Sequence, residues 1–199
     1  MNSVLSFRLP VIGFYAGAPQ SGKTTAALIA QDIIADRHTS RIVSFAEPLK
    51  LATASFLEAL GLSDADATRY VFEDKDVIIP HLGRTGREFL IKLGTDCGRE
   101  FVDPLCWVNR WNVRASDCLK ARKAVVCDDV RRADEAGAVR ALGGVIIEVR
   151  RPSRSVRHTD PRTEGLLPGC ADYVVVNDGD LQQLEARLAQ TLRDAGVIH

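Results

Sequence analysis

The sequence has no C-x-x-C pair, and its five cysteines, an odd number, stand singly between Cys97 and Cys170. That excludes the usual zinc spacings and a closed disulfide framework. Reduced, mostly buried thiols fit the chain instead. There is no excess charge of either sign, with 26 Lys plus Arg against 26 Asp plus Glu. Overall charge therefore gives no argument for nucleic acid or an anionic membrane as partner. No apolar run approaches the length of a membrane span. The short one after Arg8 leads directly into a glycine loop, so it reads as a first strand of a cytoplasmic protein, not as a signal peptide. Repeats, low-complexity stretches and linkers are missing, and so is the H-R-D-x-x-x-x-N loop of protein kinases. At 199 residues the chain is long enough for one domain, residues 1–199, with a substantial core.

Against these absences stands one specific motif. Gly17-Ala18-Pro19-Gln20-Ser21-Gly22-Lys23-Thr24 spells G-x-x-x-x-G-K-[ST], the phosphate-binding P-loop. It follows the apolar run Val11–Ala16 and enters a helical pattern from Thr25 to Asp36. Glycines let the loop turn its backbone N–H groups toward phosphate oxygens. The helix behind it adds the unpaired donors of its first turn, including those around Thr25, and the positive end of its dipole. Lys23 can reach the β- and γ-phosphates of ATP, and the Thr24 hydroxyl can ligate Mg²⁺.

Strand and helix patterns alternate along the chain, which predicts an α/β fold built on a parallel sheet. Strands are expected at 11–16, 41–45, 124–127, 145–149 and 173–176. Helices are expected at 23–36, 47–60, 85–101, 107–122, 132–142 and 180–194, with Gly94 and Gly98 interrupting the third. Residues 62–82 lack a clear period. The long helical segment of about 47–122 is where such a fold would build an acceptor-binding region.

Val125-Val126-Cys127-Asp128-Asp129 is an apolar strand ending in acid. Beside a P-loop, a carboxylate there can orient Mg²⁺ or its waters. Strand alternation points the two acids different ways, with Asp128 favoured for the metal and Asp129 the second candidate. Arg150, Arg151, Arg154, Arg157 and Arg162 fall within thirteen residues that contain one acid, Asp160, inside a longer aperiodic stretch. That stretch, about 150–169, reads as a lid whose arginines stabilise phosphoryl transfer; a nucleic-acid contact or a solvated loop would use the same residues. Arg84 and Arg87 are spaced to share a helix face and grip one phosphate, or to form ordinary ion pairs. Glu47 sits just past the second strand, as an acceptor contact, a metal contact or a helix cap. Trp107 and Trp111 suit core packing, with base stacking open to one of them. No general base is evident. A phosphate monoester acceptor needs none, because its second pKa is about 6.

The motifs together resemble the phage-type deoxynucleoside monophosphate kinases. The resemblance is carried by Ser44-Phe45-Ala46-Glu47-Pro48-Leu49-Lys50, Lys92-Leu93-Gly94-Thr95-Asp96-Cys97-Gly98-Arg99, Trp107-Val108-Asn109-Arg110, Asp128-Asp129-Val130-Arg131, Arg150-Arg151-Pro152 and Asn177-Asp178-Gly179. It runs from about Val11 to Leu192. It implies five parallel strands in order 2-3-1-4-5. It also implies transfer of the γ-phosphoryl group of ATP to a deoxynucleoside 5'-monophosphate, with Mg²⁺. By that resemblance Arg131 is a phosphate ligand, and Arg84, Arg87, Asp96, Arg99 and Trp107 fall in the acceptor site. Asn177 sits near the adenine, and Arg151, Arg154 and Arg157 belong to the lid. Glu47 stands where the family often has Asp, and Arg132-Ala133-Asp134-Glu135 where it has Phe-x-Asn-Glu, which bears on substrate preference. Two other small-acceptor readings share the scaffold, dephospho-coenzyme A kinase and phosphomevalonate kinase, and a kinase of modified bases in DNA is a further one. An ATP-binding switch or DNA-packaging accessory is the reading of a different class. A homodimer stays open, as does the host cytoplasm as location if the chain is of phage origin.

Overall fold

The computed structural model describes residues 8–153 and 170–198. Along the chain run β1 (Val11–Tyr15), α1 (Lys23–Ile34), β2 (Ser40–Ile42), α2 (Glu47–Ala59), α3 (Asp64–Thr68), α4 (Gly86–Ile91), α5 (Cys106–Lys120), β3 (Ala124–Val130), α6 (Ala133–Ala141), β4 (Val145–Arg150), β5 (Tyr173–Val176) and α7 (Leu181–Asp194). Among these lie a short antiparallel pair, Ile78–Ile79 with Arg84–Thr85, and two π-helical stretches, Arg69–Glu73 and Lys92–Val102. Two compact units form: Met1–Ser44 with Asn112–His199, and Phe45–Trp111.

In the first unit the five strands β1–β5 are all parallel and lie in the order β2-β3-β1-β4-β5, the order the resemblance implied. All five residues of β1 are buried, which is why it reads as an unbroken apolar run. One face of the sheet, including Ile12, Phe14, Val126, Ile147, Val149 and Val175, packs with α1 and α7. Helix α1 contributes Ala26, Ala27, Ala30 and Ile34, and α7 contributes Leu184, Leu188 and Leu192 at the four-residue spacing of one helix face. On the other face α6 comes close: a Cβ at Gly13 would stand 2.8 Å from Ile146 Cδ1 and 3.3 Å from Val139 Cγ1.

The second unit has its own core of Ala54, Leu57, Ala67, Tyr70, Val71 and Ile79. Pro48 lies in the first turn of α2, where its missing N–H costs nothing. Helix α4 opens with a capping box, Thr85 accepting from the Glu88 backbone and Glu88 returning to the Thr85 N–H at 2.8 Å. Phe45 stacks on the buried Trp111 ring at 4.6 Å.

Three expectations are corrected. The second strand stops at Ile42, short of the expected Phe45. The third runs past Cys127 to Val130, taking both acids into the sheet. The helix expected over 85–101 is α4 followed by the π-helical Lys92–Val102. Its glycines explain the change: Trp107 Nε1 donates to Gly94 O at 2.9 Å, and a Cβ at Gly98 would meet the same indole at 2.8 Å. Among the described residues no helix is long and apolar enough to cross a membrane.

Candidate active site

The loop between β1 and α1 has two left-handed residues, Gln20 at φ 58° and Gly22 at φ 93°. Gly22 takes that conformation at no steric cost, whereas Gln20 stores strain in it. Ser21 is buried, and its hydroxyl donates to Ala18 O at 2.7 Å, closing the loop on itself. From β5, the buried Asn177 donates its side-chain N–H to Ser21 O at 2.9 Å. Thr24 and Thr25 are exposed in the first turn of α1, which carries no acid. No side chain caps this helix end among the described residues, which suits an anion site.

Lys23 is half-buried, yet protein surrounds its ammonium closely enough to hold its pKa below the usual lysine value. Burial is the largest cause and the Arg131 charge the next, opposed by Asp129 and then Asp128. The cation thus sits in the field of the acidic end of β3 and of Arg131 just beyond it. Strand alternation alone does not place both acids there. Between β1 and β3 the register passes from Gly13 opposite Cys127 to Tyr15 opposite Val130, an irregularity that falls at Asp128–Asp129. Such a bulge re-aims side chains and is frequent beside functional sites.

Each acid is held by a different neighbour. Ser44, just after β2, donates its hydroxyl to Asp128 Oδ1 at 2.6 Å, while Arg114 Nη1 donates to Ser44 O at 3.3 Å. Cys127 donates its thiol to Asp129 Oδ1 at 3.3 Å. Burial first, and then the Asp129 charge, raise the Cys127 pKa well above normal, so the thiol keeps the proton it donates. Arg131 is exposed, and its backbone is fixed: the N–H groups of Arg131 and Arg132 both donate to Oε2 of the buried Glu135, at 2.8 and 3.1 Å. Sequence reasoning gave no role to Ser44, Arg114 or Glu135. Glu135 had a local signal, an acid in the first turn of a helix. Ser44 had none, because its partner is 84 residues away.

The arginines expected in a lid divide. Arg150 closes β4 with a bidentate pair to Glu148, Nε to Oε1 at 3.1 Å and Nη2 to Oε2 at 2.9 Å. Arg151 is half-buried. Arg154, Arg157 and Arg162 lie outside the described residues.

The second unit holds the expected acceptor residues. Arg84 is not on a helix; it precedes the Thr85 cap and pairs with Glu88 at 3.1 Å. Arg87, in α4, grips both oxygens of Asp76 at 2.5 and 2.9 Å, and lowers the Asp76 pKa by that hydrogen bonding. Asp96 pairs with Lys92, and Arg99 donates to Pro104 O at 3.0 Å. Trp107 is half-buried, tied to Gly94 as above, and Glu47 begins α2. Exposed ion pairs of this kind contribute about 0–1 kcal/mol.

A buried strand, a loop of left-handed turns, a helix opening at lysine and a neighbouring strand ending in carboxylates define a P-loop α/β protein. The profile of the deoxynucleotide monophosphate kinases matches residues 81–188, and the chain belongs to that family. It is 30% identical over 108 residues to the deoxynucleotide monophosphate kinase of Enterobacteria phage T4, a stretch that covers 54% of this chain and 45% of that protein. The match thus spans about half the length of that relative. A protein of Acanthamoeba polyphaga mimivirus with the same family name is 28% identical over 193 residues, 92% of this chain and 96% of the relative. Among solved structures, the APS kinase of Mycobacterium tuberculosis aligns over 94% of this chain and 97% of its own, with TM-score 0.47 and 12% identity.

Proposed function

We propose that the protein transfers the γ-phosphoryl group of ATP to a deoxynucleoside 5'-monophosphate, giving the diphosphate. The observation that carries this is the convergence of Lys23, Asp128, Asp129 and Arg131 behind a formed phosphate loop in a chain of this family. The loop backbone and the α1 N-terminus bind the polyphosphate. Lys23 draws charge from the transferring group, and Arg131 with Arg151, Arg154 and Arg157 holds the two anions together against their repulsion. The acceptor phosphate is largely ionised at neutral pH, so no residue need remove its proton. Arg84, Arg87 and Arg99 supply cations for the acceptor phosphate. Glu47, Asp96 and Trp107 line its sugar and base.

The donor set suits Mg²⁺. The Thr24 hydroxyl and the Asp128 carboxylate are hard oxygen ligands, and Mg²⁺ takes one or two such groups besides phosphate oxygens. When bound, the ion neutralises charge on the β- and γ-phosphates. Asp129 is the alternative carboxylate. The same reading puts the protein in the cytoplasm, the host's if the chain is of phage origin, acting on free nucleotides.

A coupled assay with ATP, Mg²⁺ and a panel of nucleoside monophosphates, dephospho-coenzyme A, phosphomevalonate and DNA with modified bases tests the proposal. At least one deoxynucleoside monophosphate is converted to its diphosphate. Turnover confined to another acceptor, or slow ATP hydrolysis indifferent to any acceptor, overturns it.

A further inference from the structure

The phosphate loop is held from behind by a residue near the far end of the chain. Asn177 is 8% exposed, and its Nδ2 donates to Ser21 O at 2.9 Å. Gly22 makes room for this bond, since a Cβ there would stand 2.5 Å from Nδ2. The backbone of Asn177 is fixed as well. Its N–H donates to Arg150 O at 2.7 Å, and Arg187 of α7 binds Val176 O on one side and Asp178 Oδ1, at 2.6 Å, on the other. A clamp on Ser21 O has a direct consequence. In a planar trans peptide the C=O of Ser21 and the N–H of Gly22 point in opposite directions. Holding the carbonyl toward Asn177 therefore turns the Gly22 N–H away from it, and sets the entry of Lys23 into α1. On the loop's other flank the Ser21 hydroxyl binds Ala18 O.

We infer that Asn177 is a positioning residue that fixes the phosphate loop in its binding shape before nucleotide arrives, rather than a contact for the base. The inference rests on the nucleotide reading of the site. Preorganisation of this kind removes ordering cost from binding. Its benefit reaches every ligand that uses the loop, whether or not the ligand carries a base.

Binding of Mg-ATP and of inorganic tripolyphosphate with Mg²⁺, to wild type and Asn177→Ala, separates the two roles. A clamp weakens both ligands by a similar factor, about tenfold or more, the size set by one buried hydrogen bond. In the nucleotide-free variant, ¹⁵N order parameters at residues 21–23 fall from about 0.85 toward 0.6, with wild-type values elsewhere in the sheet. Asn177→Leu, similar in volume but without the donor, behaves like the alanine variant and decides the matter if alanine fails to fold. Weakening confined to ATP, or unchanged binding of both ligands with unchanged loop order, overturns the clamp. If wild type binds neither ligand, the nucleotide reading falls instead, and the order parameters alone decide the role of Asn177.

Discussion

Lys23 is held in a setting that costs the empty protein stability. Burial and Arg131 both oppose its charge, and the net effect is a pKa below the ordinary 10.5. A lysine with a lowered folded-state pKa destabilises the fold fully below that pKa, where it is charged in both states. The cost shrinks as pH rises toward 10.5, and it is gone once both states are neutral. Lys23→Met removes the charge while keeping most of the side-chain volume. Its melting temperature at pH 7 is expected to rise in the absence of nucleotide, and its stability to climb less steeply into alkaline pH. Turnover is expected to fall by at least a hundredfold, the effect of about 3 kcal/mol of lost transition-state contact. Calorimetry across pH with steady-state kinetics checks both halves. A variant that melts earlier, or that keeps near-normal turnover, contradicts this account.

Ser44 acts on the same site through Asp128. Its hydroxyl donates to Oδ1, which fixes the orientation of the carboxylate proposed to hold Mg²⁺. A hydrogen bond to a charged group is worth about 1.5–3 kcal/mol. Ser44→Ala is expected to raise the Mg²⁺ concentration needed for half-maximal rate roughly tenfold, with a smaller change in KM for ATP at saturating Mg²⁺. Ser44→Thr keeps the hydroxyl and restores most of the metal response. Magnesium titrations of both variants give the answer, and an unchanged midpoint in Ser44→Ala removes the residue from the site.

At the scale of elements, the β3–α6 junction carries Arg131, the arginine proposed for the phosphates. Glu135 takes two backbone N–H groups, those of Arg131 and Arg132, onto one buried carboxylate oxygen. Glu135→Ala orphans both donors at a cost of about 1–3 kcal/mol. For a chain of this size that lowers the melting temperature by roughly 2–12 °C. It also frees the Arg131 backbone, so turnover is expected to fall together with stability. Glu135→Gln keeps an accepting oxygen and should recover much of both. If the alanine variant melts and turns over like wild type, the junction does not position Arg131.

The same junction shows where sequence reasoning reaches its limit. The P-loop was legible because its eight residues, the buried strand before it and the helix after it are contiguous. Strand β5 was found to the residue, since Tyr173–Val176 is apolar and bounded by a turn. Strand β3 was cut short at Cys127 because acids are rare in strands. Asp128 and Asp129 continue it all the same, because Ser44 and Cys127 supply partners for their carboxylates. The register irregularity that brings both acids near Lys23 depends on pairing with β1, which no local pattern reports. Within the π-helical Lys92–Val102, Gly94 likewise gives its carbonyl to an indole 13 residues further on.

At the scale of the molecule, the chain divides into two compact units, with Phe45–Trp111 inserted in the sequence of the first. Every group assigned to the polyphosphate, the P-loop, Lys23, Asp128 and Arg131, belongs to the unit that contains the sheet. A ligand that binds only the folded form stabilises it by about 2.7 kcal/mol at a hundred times its Kd. In a protein of this length that corresponds to a rise of roughly 5–11 °C in melting temperature. Mg-ATP should therefore raise the melting temperature of the sheet-containing unit, and any separate transition of the inserted unit should move less, because it holds none of these groups. On the proposed reading, chelation with EDTA leaves Lys23, Arg131 and the α1 N-terminus to bind the polyphosphate, with the Asp128 and Asp129 charges no longer offset by the metal. Like charges then oppose the ligand, and the shift should shrink to a few degrees or less. Asp128→Asn removes one of those charges, so its ATP shift should be less sensitive to EDTA than that of wild type. Scanning calorimetry with ATP, with and without Mg²⁺, on both proteins measures all three effects; an ATP shift in wild type that EDTA leaves intact would show that Asp128 organises no metal for the nucleotide.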